Sequence, residues 1–77
     1  MVITADTVYK LRKVFRLTQA EFGALCGVSD AFINQIERGK RSVSERLRIR
    51  MIDKLELTPE RVSHLLAVFN ETKISIS

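Results

Sequence analysis

A chain of 77 residues with 45% hydrophobic content has material for one small core and none for a second. That apolar fraction excludes an intrinsically disordered chain. Thirteen Lys and Arg against nine Asp and Glu leave a net charge of +4, which favours an anionic partner: nucleic acid, anionic membrane or acidic protein.

The charge alone decides little, since a merely soluble basic surface would carry the same surplus. Cys26 is the one cysteine, so no internal disulfide and no Cys-based zinc site can form. A reducing compartment is expected. The opening MVITADTVYK lacks a basic start followed by a long apolar run, and so does not read as a secretory signal. No apolar stretch approaches the length that crosses a bilayer, so a cytoplasmic protein with no membrane partner is expected. The stability margin of so small a core is thin, and dimerisation would widen it.

The chain has no repeat, no low-complexity segment and no linker, so residues 1–77 read as one domain. Its single Pro and three Gly fall where helix ends are expected. The first helix is predicted from about Ala5 to Phe15, capped by Thr4 or Asp6. Val8, Leu11 and Phe15 share one face at i, i+3 and i+7. The second helix opens on Thr18-Gln-Ala-Glu21, a capping-box pattern, and carries Phe22, Leu25 and Cys26 as its apolar stripe. Gly27 ends it, because glycine alone takes a left-handed backbone without a Cβ penalty.

Ser29 caps the third helix, with Ile33 and Ile36 turned inward and Gly39 at its end. Ser42-Val-Ser-Glu45 is a second capping-box candidate for the fourth helix, which presents Leu47, Met51, Ile52 and Leu55. Thr58-Pro59 opens the fifth, with Pro where no amide hydrogen bond is lost. Val62, Leu65, Leu66 and Phe69 form its buried face. The closing KISIS alternates polar and apolar residues, and reads as a short C-terminal strand or an extended, frayed tail. The fold class is all-α, a compact domain of short amphipathic helices.

The informative unit is about 18–38: a helix, a short turn containing Gly27, and a second helix. That is the helix-turn-helix arrangement. A steep turn makes the second helix project, and a projecting helix fits the major groove, where each base pair shows a distinct donor and acceptor pattern. Asn and Gln can pair bidentately with adenine, and Asn34 and Gln35 point outward because the inward positions are filled by Ile33 and Ile36.

LTQAEFGALCGVSDAFINQIERGKR resembles the phage-repressor and Cro type of helix-turn-helix, the XRE family. The resemblance rests on Leu17-Thr-Gln19, Gly27-Val28-Ser29 and Ile33-x-x-Ile36-Glu37-x-Gly39, and extends from about Val8 to Phe69. It implies a lambda-repressor-like fold with five helices in this order. It also implies base contacts from Asp30, Ala31, Asn34 and Gln35, and a clamp from Gln19 onto a backbone phosphate. Phe32 packs either on a sugar or thymine methyl or into the core. Asp30 either accepts from cytosine or complements the helix dipole. Ser29 caps and can also meet phosphate, and Arg38, Lys40 and Arg41 match the family's phosphate-binding loop. Glu37 matches an acid that pairs with a first-helix Arg, here Arg12. Two departures stand out: Arg16 where the family has Gly, and Gly23 where it commonly has Ala.

The function expected is a sequence-specific regulator of double-stranded DNA. It would be a repressor acting as a homodimer on half-sites roughly 34 Å apart. Residues of about 59–77 are the candidate interface, with Leu65, Leu66, Phe69, Ile74 and Ile76 supplying apolar surface. The alternative is a protein-binding module on the same fold, such as an antitoxin or antirepressor, with a regulatory protein as its partner. An enzyme has no support: there is no paired acid-base constellation, no Gly-rich phosphate loop and no triad. His64 is the lone histidine, so neither a metal nor a cofactor is expected.

Overall fold

The computed structural model describes the backbone of residues 1–76 and the side chains of residues 1–71. Its elements are α1 (Ala5–Val14), α2 (Gln19–Cys26), α3 (Asp30–Glu37), α4 (Glu45–Lys54) and α5 (Pro59–Ile76).

Each start is fixed by a hydroxyl. Thr4, Thr18, Ser29 and Ser44 all have extended backbones, and each side chain accepts from an amide of the first helical turn. Thr58 does the same for α5, its Oγ1 accepting from the Arg61 amide at 3.1 Å. Only Thr18 completes a capping box, with Glu21 Oε1 accepting from the Thr18 amide at 2.8 Å. That bond holds the Glu21 carboxyl below the usual carboxylate range. The cap of α4 is Ser44 rather than Ser42, because α4 begins at Glu45, only one residue beyond Ser44.

The ends repeat one device. One or two residues past the ends of α1 to α4 the backbone turns left-handed, at Arg16 (φ 57°), Gly27 (73°), Gly39 (74°) and Glu56 (52°). The next amide then reaches back across the last turn, Leu17 to Arg12, Val28 to Gly23, Lys40 to Gln35 and Leu57 to Ile52, at 2.8–3.1 Å. Arginines complete two of these ends. Arg50 Nη1 donates to the Cys26 and Gly27 carbonyls at 3.0 and 3.2 Å, and Arg61 Nε to Leu55 at 3.1 Å.

Val8, Leu11, Phe22, Cys26, Ile33, Ile36, Leu47 and Met51 are fully buried, and Ile3, Leu55, Leu57 and Leu65 close the core around them. Burying a side chain of this kind is worth about 1.5–3 kcal/mol. Phe15 and Ile52 are half-buried against that core. Helix α2 packs on α3 and α4, while α1 packs on α3 and α5.

Two further expectations are corrected. Leu25 is exposed, because the inner face of α2 is centred on Phe22, Gly23 and Cys26 and Leu25 lies on its flank. Leu65 is buried at 8% exposure, as expected of the inner face of α5. Leu66 is partly covered by the core, and Phe69 meets Tyr9 of α1 edge-to-face at 6.2 Å. The second correction concerns the tail, where the backbone of α5 continues as helix to Ile76 in place of a strand or extended segment. The Ile74 and Ile76 side chains lie outside the described residues. No helix among the described residues is long and apolar enough to cross a membrane.

Gly23 is the point of closest approach between α2 and the turn that follows it. A Cβ there would lie 2.5 Å from the Val28 carbonyl oxygen and 3.2 Å from the Ser29 carbonyl. Both are backbone, so neither can swing aside. Gly23→Ala is therefore expected to lose about 1–3 kcal/mol from overpacking, although alanine is the better helix former. Thermal unfolding followed by circular dichroism checks this, and an unchanged or raised Tm contradicts it.

The capping box generates a pH dependence. Because the folded Glu21 carboxyl is shifted down, its stabilisation is present at neutral pH and lost as pH falls through the folded-state value. Glu21→Ala should lower Tm slightly near pH 7, and the gap from wild type should close in acid. A gap that is constant with pH contradicts the capping role.

Candidate nucleic-acid interface

The site is built around Arg12 on α1. Its Nε donates to Glu37 Oε2 at 2.7 Å and its Nη2 to Oε1 at 2.9 Å, a two-pronged match of guanidinium to carboxylate. Nη1 donates to the Leu17 carbonyl at 2.9 Å, which ties the same side chain to the corner before α2. The two side chains are 9% and 7% exposed, so the pair sits behind α3 and not on its outer face. The hydrogen bond to Glu37 raises the Arg12 guanidinium above its ordinary range, against the opposing pull of burial.

The network continues outward. Glu37 Oε1 also accepts from Gln19 Nε2 at 3.2 Å, and Gln19 Oε1 accepts from Asn34 Nδ2 at 3.4 Å. Helix α1 thereby holds the last residue of α3, which holds the first residue of α2, which orients a side chain in the middle of α3. An amide carries two hydrogens, so Gln19 and Asn34 each keep one N–H beyond these bonds.

Along α3 the inner and outer faces separate cleanly. Ile33 and Ile36 are fully buried, Asp30, Ala31 and Gln35 are exposed, and Asn34 and Phe32 are intermediate. Asp30 Oδ1 accepts from the Ala31 amide at 2.8 Å, so this carboxylate is drawn to the positive end of its own helix. Ser29 Oγ accepts from the Phe32 amide at 3.1 Å, its capping bond. Phe32 packs partly on the core and partly under Arg41, whose guanidinium lies 5.0 Å from the ring centre. Arg41 Nε also donates to Gln35 Oε1 at 3.1 Å, which fixes the way the Gln35 amide faces. Arg38 and Lys40 are exposed beside it. The loop they belong to borders an open groove of about 390 Å³, lined also by Thr4 and Ala5 at the amino end of α1.

The structure thus gathers Gln19, Asn34, Gln35, Asp30 and Ala31 along one edge, with Arg38, Lys40 and Arg41 at its end. The arginines of α4 divide. Arg50 is anchored to α2, Arg48 is paired with Glu45 and donates to the Met1 carbonyl at 3.3 Å, and Arg46 is exposed. Sequence reasoning missed Arg50 as a clamp, and nothing local could have shown it, since its partners lie 23 and 24 residues away. It also missed the Gln35–Arg41–Phe32 cluster, for which an arginine six residues past a glutamine is a weak signal. Among the described residues no group of three or more metal-ligating side chains occurs. Cys26 is buried, and desolvation pushes its thiol up, away from the reactive thiolate.

A family model described as a helix-turn-helix domain matches residues 5–65. The chain belongs to the helix-turn-helix domain family. The match spans α1 to the first third of α5, so it includes the Arg12–Glu37 pair as well as α2 and α3. No curated protein and no solved structure gives a significant match. The domain is a small all-helical DNA-binding fold in which α1 packs on α3, the second motif helix, and α4 packs on α2, the first.

The Arg12–Glu37 pair can be tested through its charge. Glu37→Gln leaves the Arg12 guanidinium buried without its counter-charge and should cost on the order of 3 kcal/mol. Replacing both partners, as Arg12→Met with Glu37→Leu, removes the stranded charge and should recover most of that loss. Denaturant unfolding of both variants checks the pattern. A double variant less stable than the single one would show that the pair contributes net stability, contrary to this account.

Proposed function

We propose that this domain is a sequence-specific transcriptional regulator of the phage-repressor and Cro type, with α3 seated in the DNA major groove. The observation that carries the reading is the division of α3: two isoleucines wholly inward, and an outer edge of amides held in fixed orientation. Gln35 Oε1 accepts from Arg41 and retains a second lone pair, so with its own N–H it can still meet both the donor and the acceptor on an adenine edge. Asn34, oriented by Gln19, offers the same pairing one position earlier. Ala31 presents a methyl to a thymine methyl, and Phe32 contributes the exposed part of its ring.

Gln19 and Ser29 contact phosphate from the amino ends of α2 and α3, and Arg38, Lys40 and Arg41 from the loop after α3. Asp30 serves the helix terminus, since its carboxylate is already held by the Ala31 amide. The resemblance to phage repressors supports a repressor that occupies a palindromic operator as a homodimer.

The test is a fluorescence-anisotropy titration on duplexes enriched by selection, at low and moderate salt. Wild type should select a palindromic site and weaken steeply with salt as phosphate contacts release counterions. Asn34→Ala with Gln35→Ala should keep only weak, salt-sensitive binding, a loss of about 1–3 kcal/mol of discrimination at each base position. If wild type shows no sequence preference and the double variant binds equally, the groove assignment fails. A protein partner then becomes the better reading of the fold.

A further inference from the structure

The outer face of α4 is unused by the fold and by the DNA edge, and its chemistry is unusual. Arg46, Ile49 and Asp53 fall at i, i+3 and i+7, and all three are exposed. Ile49 is 53% exposed, the most exposed large hydrophobic within any helix among the described residues. Arg50 does not compete for this face, because its guanidinium is held on the Cys26 and Gly27 carbonyls.

The charges flanking Ile49 are antisymmetric. Reversing α4 end for end about the point between Ile49 and Arg50 carries Arg46 onto Asp53, and Glu45 onto Lys54. In each case a basic residue exchanges with an acidic one. Two copies of α4 laid antiparallel would therefore set Arg46 of each against Asp53 of the other, with the Ile49 side chains near the two-fold axis. A parallel arrangement would oppose like charges at the same positions. Glu45 already pairs with Arg48 of its own chain, so the weight falls on Arg46 and Asp53, neither of which shows a side-chain ion pair among the described residues.

We propose that this chain forms an isologous dimer through α4, two-fold and antiparallel, sealed by Ile49 and registered by reciprocal Arg46–Asp53 pairs. It gives the dimer expected of an operator-binding protein a specific surface, in place of the α5 face whose Leu65 is consumed by the core. The surface is judged without DNA, so its failure is distinct from failure of the groove assignment.

The experiment is sedimentation equilibrium at low salt on wild type, Arg46→Asp, Asp53→Arg and an equimolar mixture of the two variants. All the altered side chains are exposed, and circular dichroism confirms that each variant folds. Wild type should associate beyond the 8.8 kDa protomer between about 10 µM and 1 mM. Each substitution enters a two-fold interface twice, so each single variant should weaken association by about tenfold or more. The mixture should regain it as a heterodimer, because one chain then offers only acids and the other only bases at the two positions. A wild type that stays monomeric throughout, single variants that associate as wild type does, or a mixture no tighter than its components would each overturn the proposal.

Discussion

Arg12 and Glu37 lie 25 residues apart in sequence and, among the described residues, make the one ion pair that is shielded from solvent on both sides. Removing two charges from water costs several kcal/mol each, and the attraction between them only roughly offsets that cost. What the pair supplies is therefore less stability than arrangement. Two parallel hydrogen bonds from a planar guanidinium admit one orientation of the carboxylate, and the third, to the Leu17 carbonyl, admits one path for the corner before α2. Gln19 and Asn34 inherit their orientation from that geometry. An apolar contact between α1 and α3 could hold them together with equal strength, but it would not fix the rotation of an amide on the far side of the motif.

Much of this was legible from residue types, because the controlling interactions are local. Thr18 with Glu21, Ser29, and Gly27 and Gly39 name their roles within a few residues, and the structure places each at the helix end it marks. The buried faces of α3 and α4 follow from spacing for the same reason. What the pattern missed depends on packing between distant segments. Leu25 satisfies the spacing of an inner residue, yet α2 meets its neighbours across Gly23, which rotates the buried face away from it. Ser42 and Ser44 each precede α4 at plausible spacing, and only the path of the loop decides between them.

Gly23 shows how a residue with no side chain can carry positional information. At the level of propensity it is a blemish in α2. In three dimensions it is where the turn folds back on the helix, so the angle between α2 and α3 is set by backbone contacting backbone. The carbonyl of Gly23 receives the Val28 amide at 2.8 Å at this same spot, and the side chain of Arg50 closes over the Cys26 and Gly27 carbonyls just beyond it. The motif's angle is thus enforced from within by absence of bulk and from outside by a cation.

The four reversed turns that end α1 to α4 look alike but are not equivalent. Those after α2 and α3 use glycine, whose left-handed backbone is free of penalty, so these stops are written into the local chain. Those after α1 and α4 place Arg16 and Glu56 in the same conformation, at a cost of about 1 kcal/mol each. They are held by the back-reaching amide of the following leucine, whose side chain is drawn toward the core, Leu57 fully and Leu17 in part, and by the guanidinium of Arg12 or Arg61 on a nearby carbonyl. The C-terminal stops of the motif helices are thereby written into the local chain, while those of α1 and α4 depend on packing as well. A substitution that lifts Leu17 or Leu57 out of its packing would therefore unpick the helix end beside it, while the glycine stops of α2 and α3 would stand.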